Sequence, residues 1–502
     1  MIRTLAQRLL EAAGLALLFL LAFRSPAGSG HGYLEAAAAL VFPALLFRAV
    51  FAGRGLGWIF LALFLAFLGL FHWVPRTVSL MGGLPPALGL VSGILLMAWE
   101  ALGLLAVTAC SRWARGRGGA LAAALAAALG LLLWESYGFH IYPWSQGAAL
   151  GGLPWLARGA AFIGAQGLAA LLWAGGAYAG ARFQAGDRSA PLLLGPGAAL
   201  AVLLGLAGLW PLLPRGPQRD LDLVVIQPNF ESGLRRPGME EDMWRRSDTE
   251  LRHLGLPHPG TATLLLWPES SVLGRDDRQP SARLRAEAER RGIGWLYGTE
   301  GGLLNLARGE AAGQPSFLQG KIEPMPFGER MPGPPFLRHW LDRNLGFISQ
   351  EPGQLSAASS FRLPTPQGPL RVHPLLCSEA LDPARVRHGL AEAGGELLVN
   401  LTNDGWFEHS IATDLHAAQI RMRAVEAGLP LVRATLTGKS GLFREDGRWS
   451  LWGEPMTEAA YSFHLRWRPI STPARSAGFR AALLLLLTAM TAAAVRARPF
   501  RP

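Results

Sequence analysis

Cysteine is nearly absent: two thiols, Cys110 and Cys377, stand in 502 residues, too few for a disulfide framework. Lysine is as scarce. Of 47 basic residues only Lys321 and Lys439 are lysine, so a need for a compact ammonium with a tunable pKa explains them better than a need for any cation. Charge of either sign is thin, at 17% of residues against 50% hydrophobic, with a mean hydropathy of +0.23. That balance excludes an ordinary soluble protein of this length and makes a membrane protein the expectation. The net charge of +11 does not point to nucleic acid, because no basic stripe interleaved with aromatics accompanies it. Histidine and cysteine do not pair at ligand spacing, so neither a metal site nor a cofactor is expected.

Long apolar segments are present instead, near Leu9–Phe23, Tyr33–Phe51, Trp58–Val74, Ala87–Cys110, Ala120–Leu133, Ala160–Ala181, Pro191–Leu213 and Ala481–Val495. Most approach the ~20 residues a bilayer span requires, giving about eight spans, seven of them before residue 214. Arginine sets their orientation. Arg3, Arg8, Arg48, Arg54, Arg112, Arg115, Arg117, Arg182, Arg188, Arg496, Arg498 and Arg501 fall on one side, and only Arg24, Arg76 and Arg158 on the other. The rich side is expected to be cytoplasmic, with both termini there, and the large insert before the last span to lie on the outer face. Arg24 directly after Phe23 makes a poor cleavage site, so the first span is expected to be retained.

The insert, residues 214–474, has the short apolar strands and Pro/Gly-rich connections of a globular α/β domain. Strands are predicted at Leu221–Gln227, Thr263–Trp267, Gly294–Gly298, Phe317–Gln319, Leu370–Leu376, Glu396–Leu401 and Leu429–Thr435, and helices at Ser281–Arg291 and Asp414–Ala427, the latter capped by Asp414 and ended by Gly428. A hairpin turn is predicted at Glu445-Asp446-Gly447. Pro324–Pro335 and the following Phe336–Phe347 are too irregular for core and too apolar for a solvated linker, which a loop over a site or on a membrane surface would fit, with a plain connector the equal alternative.

Three polar residues sit at predicted strand ends: Glu269, Lys321 and Cys377. Strand ends on one side of a parallel-type sheet gather around a common crevice. A thiol, a carboxylate to take its proton and an ammonium to hold an oxyanion make a complete acyl-transfer site. Each has a bland alternative. Glu269 can cap a helix begun at Ser270, Lys321 can pair with Glu323, Glu379 can be a solvated loop residue, and a lone thiol is often only a small buried hydrophobe.

Trp267-Pro268-Glu269-Ser270, Lys321 followed by Pro326-Phe327-Gly328-Glu329, Cys377 with Glu379 two residues on, Asn403-Asp404-Gly405-Trp406-Phe407 with the helix through Gln419–Arg423, and Phe139–Gln146 between two spans together resemble the apolipoprotein N-acyltransferases, membrane-embedded members of the nitrilase superfamily. The resemblance covers essentially the whole chain. It implies a multi-span α-helical membrane domain (1–213), a periplasmic α/β nitrilase-like αββα sandwich (214–474) and a C-terminal transmembrane helix with a cytoplasmic tail (475–502) in a bacterial inner membrane.

The resemblance also implies roles: Glu269 as base, Lys321 as oxyanion partner, Cys377 as nucleophile, Glu329 and Glu379 in support, and Pro326, Phe327, Gly328, Phe336, Trp340 and Trp406 in a lid or substrate contact. The implied reaction moves an acyl chain from a phospholipid to the free amino group of a diacylglyceryl-cysteine apolipoprotein through a thioester, with no cofactor. Two positions depart from the family pattern. Ser378 follows the nucleophile where an aromatic residue is usual, and Arg235 stands where an early tryptophan is expected, with Trp244 the nearest substitute. Three other readings use the same features: a membrane-tethered nitrilase-type amidohydrolase with water as acceptor, a polyprenol-sugar synthase or acyltransferase, and a transporter with an outer ligand-binding domain. Intramembrane charge, chiefly Glu100 and Glu135, is sparse for a transport pathway.

Overall fold

The computed structural model describes residues 2–23, 32–82, 85–140, 142–185, 191–230, 239–253, 258, 260–273, 282–301, 304–326, 329–330, 334–345 and 357–497. The chain forms two compact units, one of Met1–Arg76, Pro86–Leu213 and Thr472–Pro502, the other of Thr77–Pro85 and Pro214–Ser471. Arg235, Phe327, Gly328 and Phe347 lie outside the described residues.

Apolar runs without alternation become helices: α1 (Ile2–Ala22), α2 (Gly32–Phe51), α3 (Leu56–Leu70), α4 (Val74–Gly82), α5 (Pro86–Tyr137), the short α6 (Pro154–Ala157), α7 (Ala160–Gln184) and α8 (Pro191–Leu209). Two features of this set come from glycine. The 52-residue α5 is broken at Gly118 and Gly119, the latter at φ 71°, so the segments Ala87–Cys110 and Ala120–Leu133 are its two arms. Gly176 and Gly180 of α7 lie so close to α2 that a Cβ would fall 2.5 Å from Pro43 and 2.7 Å from Phe47, the small-residue packing that lets helices associate in lipid.

Glu100 and Glu135 are buried in α5 and held by the Phe139–Gln146 segment. His140 Nδ1 is 2.9 Å from Glu100 Oε1; Ser145 Oγ and the Gln146 amide donate to Glu135 at 2.7 and 3.0 Å. These carboxylates therefore anchor a re-folded loop. Trp144 of the same segment packs edge-on to Phe19, Phe23, Phe67 and Phe71.

In the second unit, strands β1 (Arg219–Gln227), β2 (Ala262–Leu273), β3 (Gly294–Gly301), β4 (Leu304–Glu310), β5 (Phe317–Gly320), β6 (Phe361–Leu363), β7 (Leu370–Leu376), β8 (Leu397–Thr402), β9 (Leu431–Thr435), β10 (Gly441–Phe443), β11 (Trp449–Leu451) and β12 (Ala459–Trp467) form two six-stranded sheets, ordered β12-β1-β2-β3-β4-β5 and β11-β10-β9-β8-β7-β6. Alternation along each strand decides the layers. Leu223, Val225, Leu264 and Leu266 face inward against Val372, Leu376, Val399 and Val432 of the second sheet. Their neighbours Val224, Ile226, Leu265 and Trp267 face outward against Met243 and Trp244 of α9 (Met239–His253) and Ala288 of α10 (Ala282–Arg291). With α11 (Pro335–Leu345) outside the stack and α12 (Pro383–Ala393) and α13 (Ala412–Ala427) against the second sheet, the unit is an αββα sandwich.

Trp244 is a core residue here, with ring centroids 4.9 and 4.7 Å from those of Trp267 and Trp295. It does not take the place of a mouth tryptophan. Asp414 lies inside the first turn of α13 and bonds Lys439 at 2.7 Å instead of capping, while Gly428 ends the helix at φ 65° as expected. Strands β4, β6 and β12 and helices α9, α11 and α12 are additions to the sequence reading.

The chain closes with α14 (Ala477–Arg496), apolar at mean hydropathy 1.8 over its best window yet with none of that window buried. An apolar helix that packs on α5 along one side yet leaves every residue of that window unburied needs lipid around the rest of it. Among the described residues five helices are long and apolar enough to span a bilayer, or six if α3 and α4, bent by 53°, are one span. The helical unit is a multi-pass membrane-embedded region.

Candidate active site

Glu269 stands where β2 loses its register, Lys321 directly follows β5 and Cys377 directly follows β7. The β2–β3 pairing slips between Trp267 and Val272, and the slip turns Glu269 out of the ladder, with Ser270 at φ 60°. Gly298 on β3 makes room: a Cβ there would stand 2.4 Å from Glu269 Cα. Ser270 continues the strand, so Glu269 caps no helix. Its Oε1 accepts from Asn305 Nδ2 at 2.5 Å and lies 3.4 Å from Lys321 Nζ. Asn305 carries no sequence signal; its partner became visible only when β4 paired beside β3 and β5.

Lys321 stands directly after β5 and is 3% exposed, with its amide bonded to Asn305 O at 2.8 Å. Its ammonium donates to Glu329 Oε1 at 2.6 Å, and Glu329 is the partner in place of Glu323. Burial works against the charge on Lys321, but Glu269 and Glu329 outweigh it and hold the ammonium well above its ordinary pKa. Glu329 Oε2 also accepts from the Met325 amide at 2.7 Å, closing the turn that pairs Pro326 with Arg330.

Cys377 is the first residue of a single 3₁₀ turn that follows β7, at φ 47°. A side chain that is not glycine is held in this region only when its surroundings enforce it, and such strain gathers at functional sites. Two groups enforce it. Asn400 Nδ2 donates to Leu375 O and Cys377 O, both at 3.1 Å. Glu379, 2% exposed, accepts from the Leu376 amide at 2.8 Å and the Ile322 amide at 2.7 Å, so one carboxylate ties the cysteine turn to the segment after Lys321. Burial raises the Glu379 pKa despite those amides. Burial, then the Glu269 charge, push the Cys377 thiol up to about 12, with Lys321 pulling the other way. The resting thiol is therefore neutral.

The Gly405–Phe407 turn follows β8, the parallel neighbour of β7. Asp404 anchors it, bonded to His416 Nδ1 at 3.0 Å and to Arg433. Burial opposes the Asp404 charge, but Arg433 and His416 hold its carboxyl below the usual range. Trp406 is partly exposed on this turn. Phe336 and Trp340 lie on α11 with 76% and 55% exposure. Cys110, by contrast, lies exposed on apolar α5. Lys439 pairs with Asp414, whereas Lys321 lies between Glu269 and Glu329.

Residues 345–457 match the carbon–nitrogen hydrolase family, a stretch that includes Cys377, Glu379 and Trp406. An apolipoprotein N-acyltransferase of Allorhizobium ampelinum is 29% identical over 400 residues, 73% of this chain and 69% of its own length. One of Rhizobium leguminosarum bv. trifolii is 30% identical over 69% of this chain and 67% of its own. One of Rhizobium etli is 31% identical over 385 residues, again 69% and 67%. With a nitrilase-type sandwich and a membrane-embedded helical unit in one chain, and relatives at this identity over two thirds of their length, the chain belongs to the apolipoprotein N-acyltransferase family.

Proposed function

We propose that this protein transfers an acyl chain from a phospholipid to the free α-amino group of a lipoprotein's N-terminal diacylglyceryl-cysteine, by way of a Cys377 thioester, on the periplasmic face of a bacterial inner membrane. The observation that carries the reading is the strained Cys377 turn tied by Glu379 to the Lys321 segment, with Glu269 hydrogen-bonded beside it. Sγ attacks the ester carbonyl while Glu269 takes the thiol proton. Lys321 has three N–H donors, and with Glu329 and Glu269 as two partners the third is available to the oxyanion. Collapse expels the lysophospholipid oxygen, which takes the proton back from Glu269. In the second half the amine attacks the thioester, Glu269 accepts its proton, and the sulfur leaves to be reprotonated. A thioester keeps the acyl group's transfer potential without ATP.

Water is the rival acceptor. Exposed Phe336 and Trp340 on α11 suit a lid resting in lipid that admits acyl chains and excludes water, and Pro326, Phe327, Gly328 and Trp406 are its proposed further substrate contacts. Incubated with phospholipid alone, the protein should gain one acyl mass on Cys377, released by neutral hydroxylamine. A lipopeptide with a free amino terminus should discharge it and an N-blocked one should not, and Glu269→Gln should slow its formation. Intact-mass spectrometry decides. Release of free fatty acid regardless of the lipopeptide would instead make the protein a hydrolase, and a working enzyme that never shows the adduct would sink the thioester.

A further inference from the structure

A second cluster of chemistry-bearing side chains lies on the β1–β12 pair, toward the end of the first sheet opposite Glu269. Asp222 on β1 stands in register with His464 on β12, and the connection into β2 brings His258 to the same place. The Asp222 side chain is fully buried, whereas those of His258 and His464 are 47% and 34% exposed. His258 Nδ1 is 3.0 Å from both Asp222 oxygens and His464 Nδ1 is 2.9 Å from Oδ1. One ligand atom from each of the three residues lies within 4.8 Å of the others.

The surroundings prepare these atoms to bind a cation. His464 Nε2 is 3.1 Å from Asp220 Oδ1. An imidazole that donates one N–H to a carboxylate presents its other nitrogen as a lone pair, the arrangement usual behind metal-binding histidines. Asp222 Oδ2 is oriented by the Thr261 hydroxyl at 2.8 Å and the His258 amide at 3.1 Å. His258 itself is preset by a tight turn: the Thr261 amide and hydroxyl both bond His258 O, at 3.1 and 2.9 Å, across Gly260 at φ 80°. Arg466 bonds Asp220 at 2.6 Å, so the guanidinium neutralises the supporting carboxylate and not Asp222. Two imidazole nitrogens and one carboxylate oxygen, with the imidazoles open to solvent, suit a borderline divalent ion with an exchangeable fourth position.

We propose that Asp222, His258 and His464 form a transition-metal site of the zinc class, with Asp220 as the positioning carboxylate behind His464. A bound ion would clip β1, β12 and the turn before β2 together across 242 residues of sequence. That separation also explains why ligand spacing along the chain gives no sign of it.

The test uses the full-length protein in detergent, carrying a purification tag free of histidine and stripped by a chelator. Zn²⁺ titrated by calorimetry should saturate at one equivalent and raise the melting temperature, and Co²⁺ should give the visible ligand-field bands of a low-coordinate N/O site. His258→Ala removes a surface side chain and should weaken Zn²⁺ binding at least about a hundredfold, while Asp220→Asn should weaken it about tenfold with the Co²⁺ bands retained. Absence of saturable binding in the unmodified protein, or equal affinity in His258→Ala, would overturn the site and leave a hydrogen-bonded charge cluster.

Discussion

Of the two lysines, Lys321 is fixed between two carboxylates in a buried pocket, whereas Lys439 makes one contact with Asp414 with both side chains about a fifth exposed. A guanidinium keeps the charge but is planar and larger, and it cannot place a single N–H where the ammonium's third donor points. Lys321→Arg should therefore lower acyl transfer roughly a hundred- to a thousandfold, the scale of losing an oxyanion donor. Lys439→Arg should stay within about twofold, because a guanidinium can keep the single contact with Asp414. Steady-state transfer to a lipopeptide distinguishes them; a near-normal Lys321→Arg rate removes the ammonium from the mechanism. All three catalytic candidates were legible because each is a charged or nucleophilic residue ending an apolar run. Asn305 and Asn400, which orient Glu269 and the Cys377 turn, were not, since an amide inside a strand looks the same whether it clamps a nucleophile or fills a ladder.

Strand β7 shows what a single element adds to stability. His373 is fully buried on its outer face, and burial, then the charge of Arg385, lower its pKa from 6.5 to about 4. Because the folded pKa is depressed, the histidine favours folding fully above pH 6.5. As pH falls from 6.5 to about 4, the unfolded chain takes a proton that the fold refuses, which costs up to about 3 kcal/mol. His373→Asn should flatten the acid side of a melting-temperature profile over that window, and coincident wild-type and variant slopes would refute this. The same physics explains which elements could be read in advance. β7, β8 and β9 are mainly apolar runs, almost wholly buried, as in a sheet covered on both faces. β12 is an edge strand of mixed polarity, β4 carries Asn305, Arg308, Gly309 and Glu310, and α12 begins just after the cysteine turn, so none has the periodicity that marks a strand or helix. Helix α13 is buried on nearly every side, including Arg421 and Arg423, and was legible from its composition and Gly428 rather than from any apolar stripe.

At the scale of the whole molecule, the arginines of separate loops gather at one end of the helical unit: Arg112 and Arg115 bond the carbonyls of Arg54 and Phe51, and Arg54 pairs with Glu11. This supports a single positive face, which the positive-inside rule assigns to the cytoplasm. In a Cys110→Ala background, Ala312→Cys on the sandwich should react with an impermeant maleimide in intact spheroplasts, and Gly116→Cys beside the α5 break only after lysis; the reverse pattern would invert the orientation. The two native thiols belong to different units, one on an apolar helix and the other neutral in its pocket. Thiolates, not neutral thiols, attack peroxides and disulfides, and a sulfenic acid is locked as a disulfide when a second thiol stands within reach. Cys377 offers no standing thiolate, and the chain's one other cysteine belongs to the other unit, so on the proposed function the thiol would stay reduced on an oxidising face of the membrane without a dedicated electron donor.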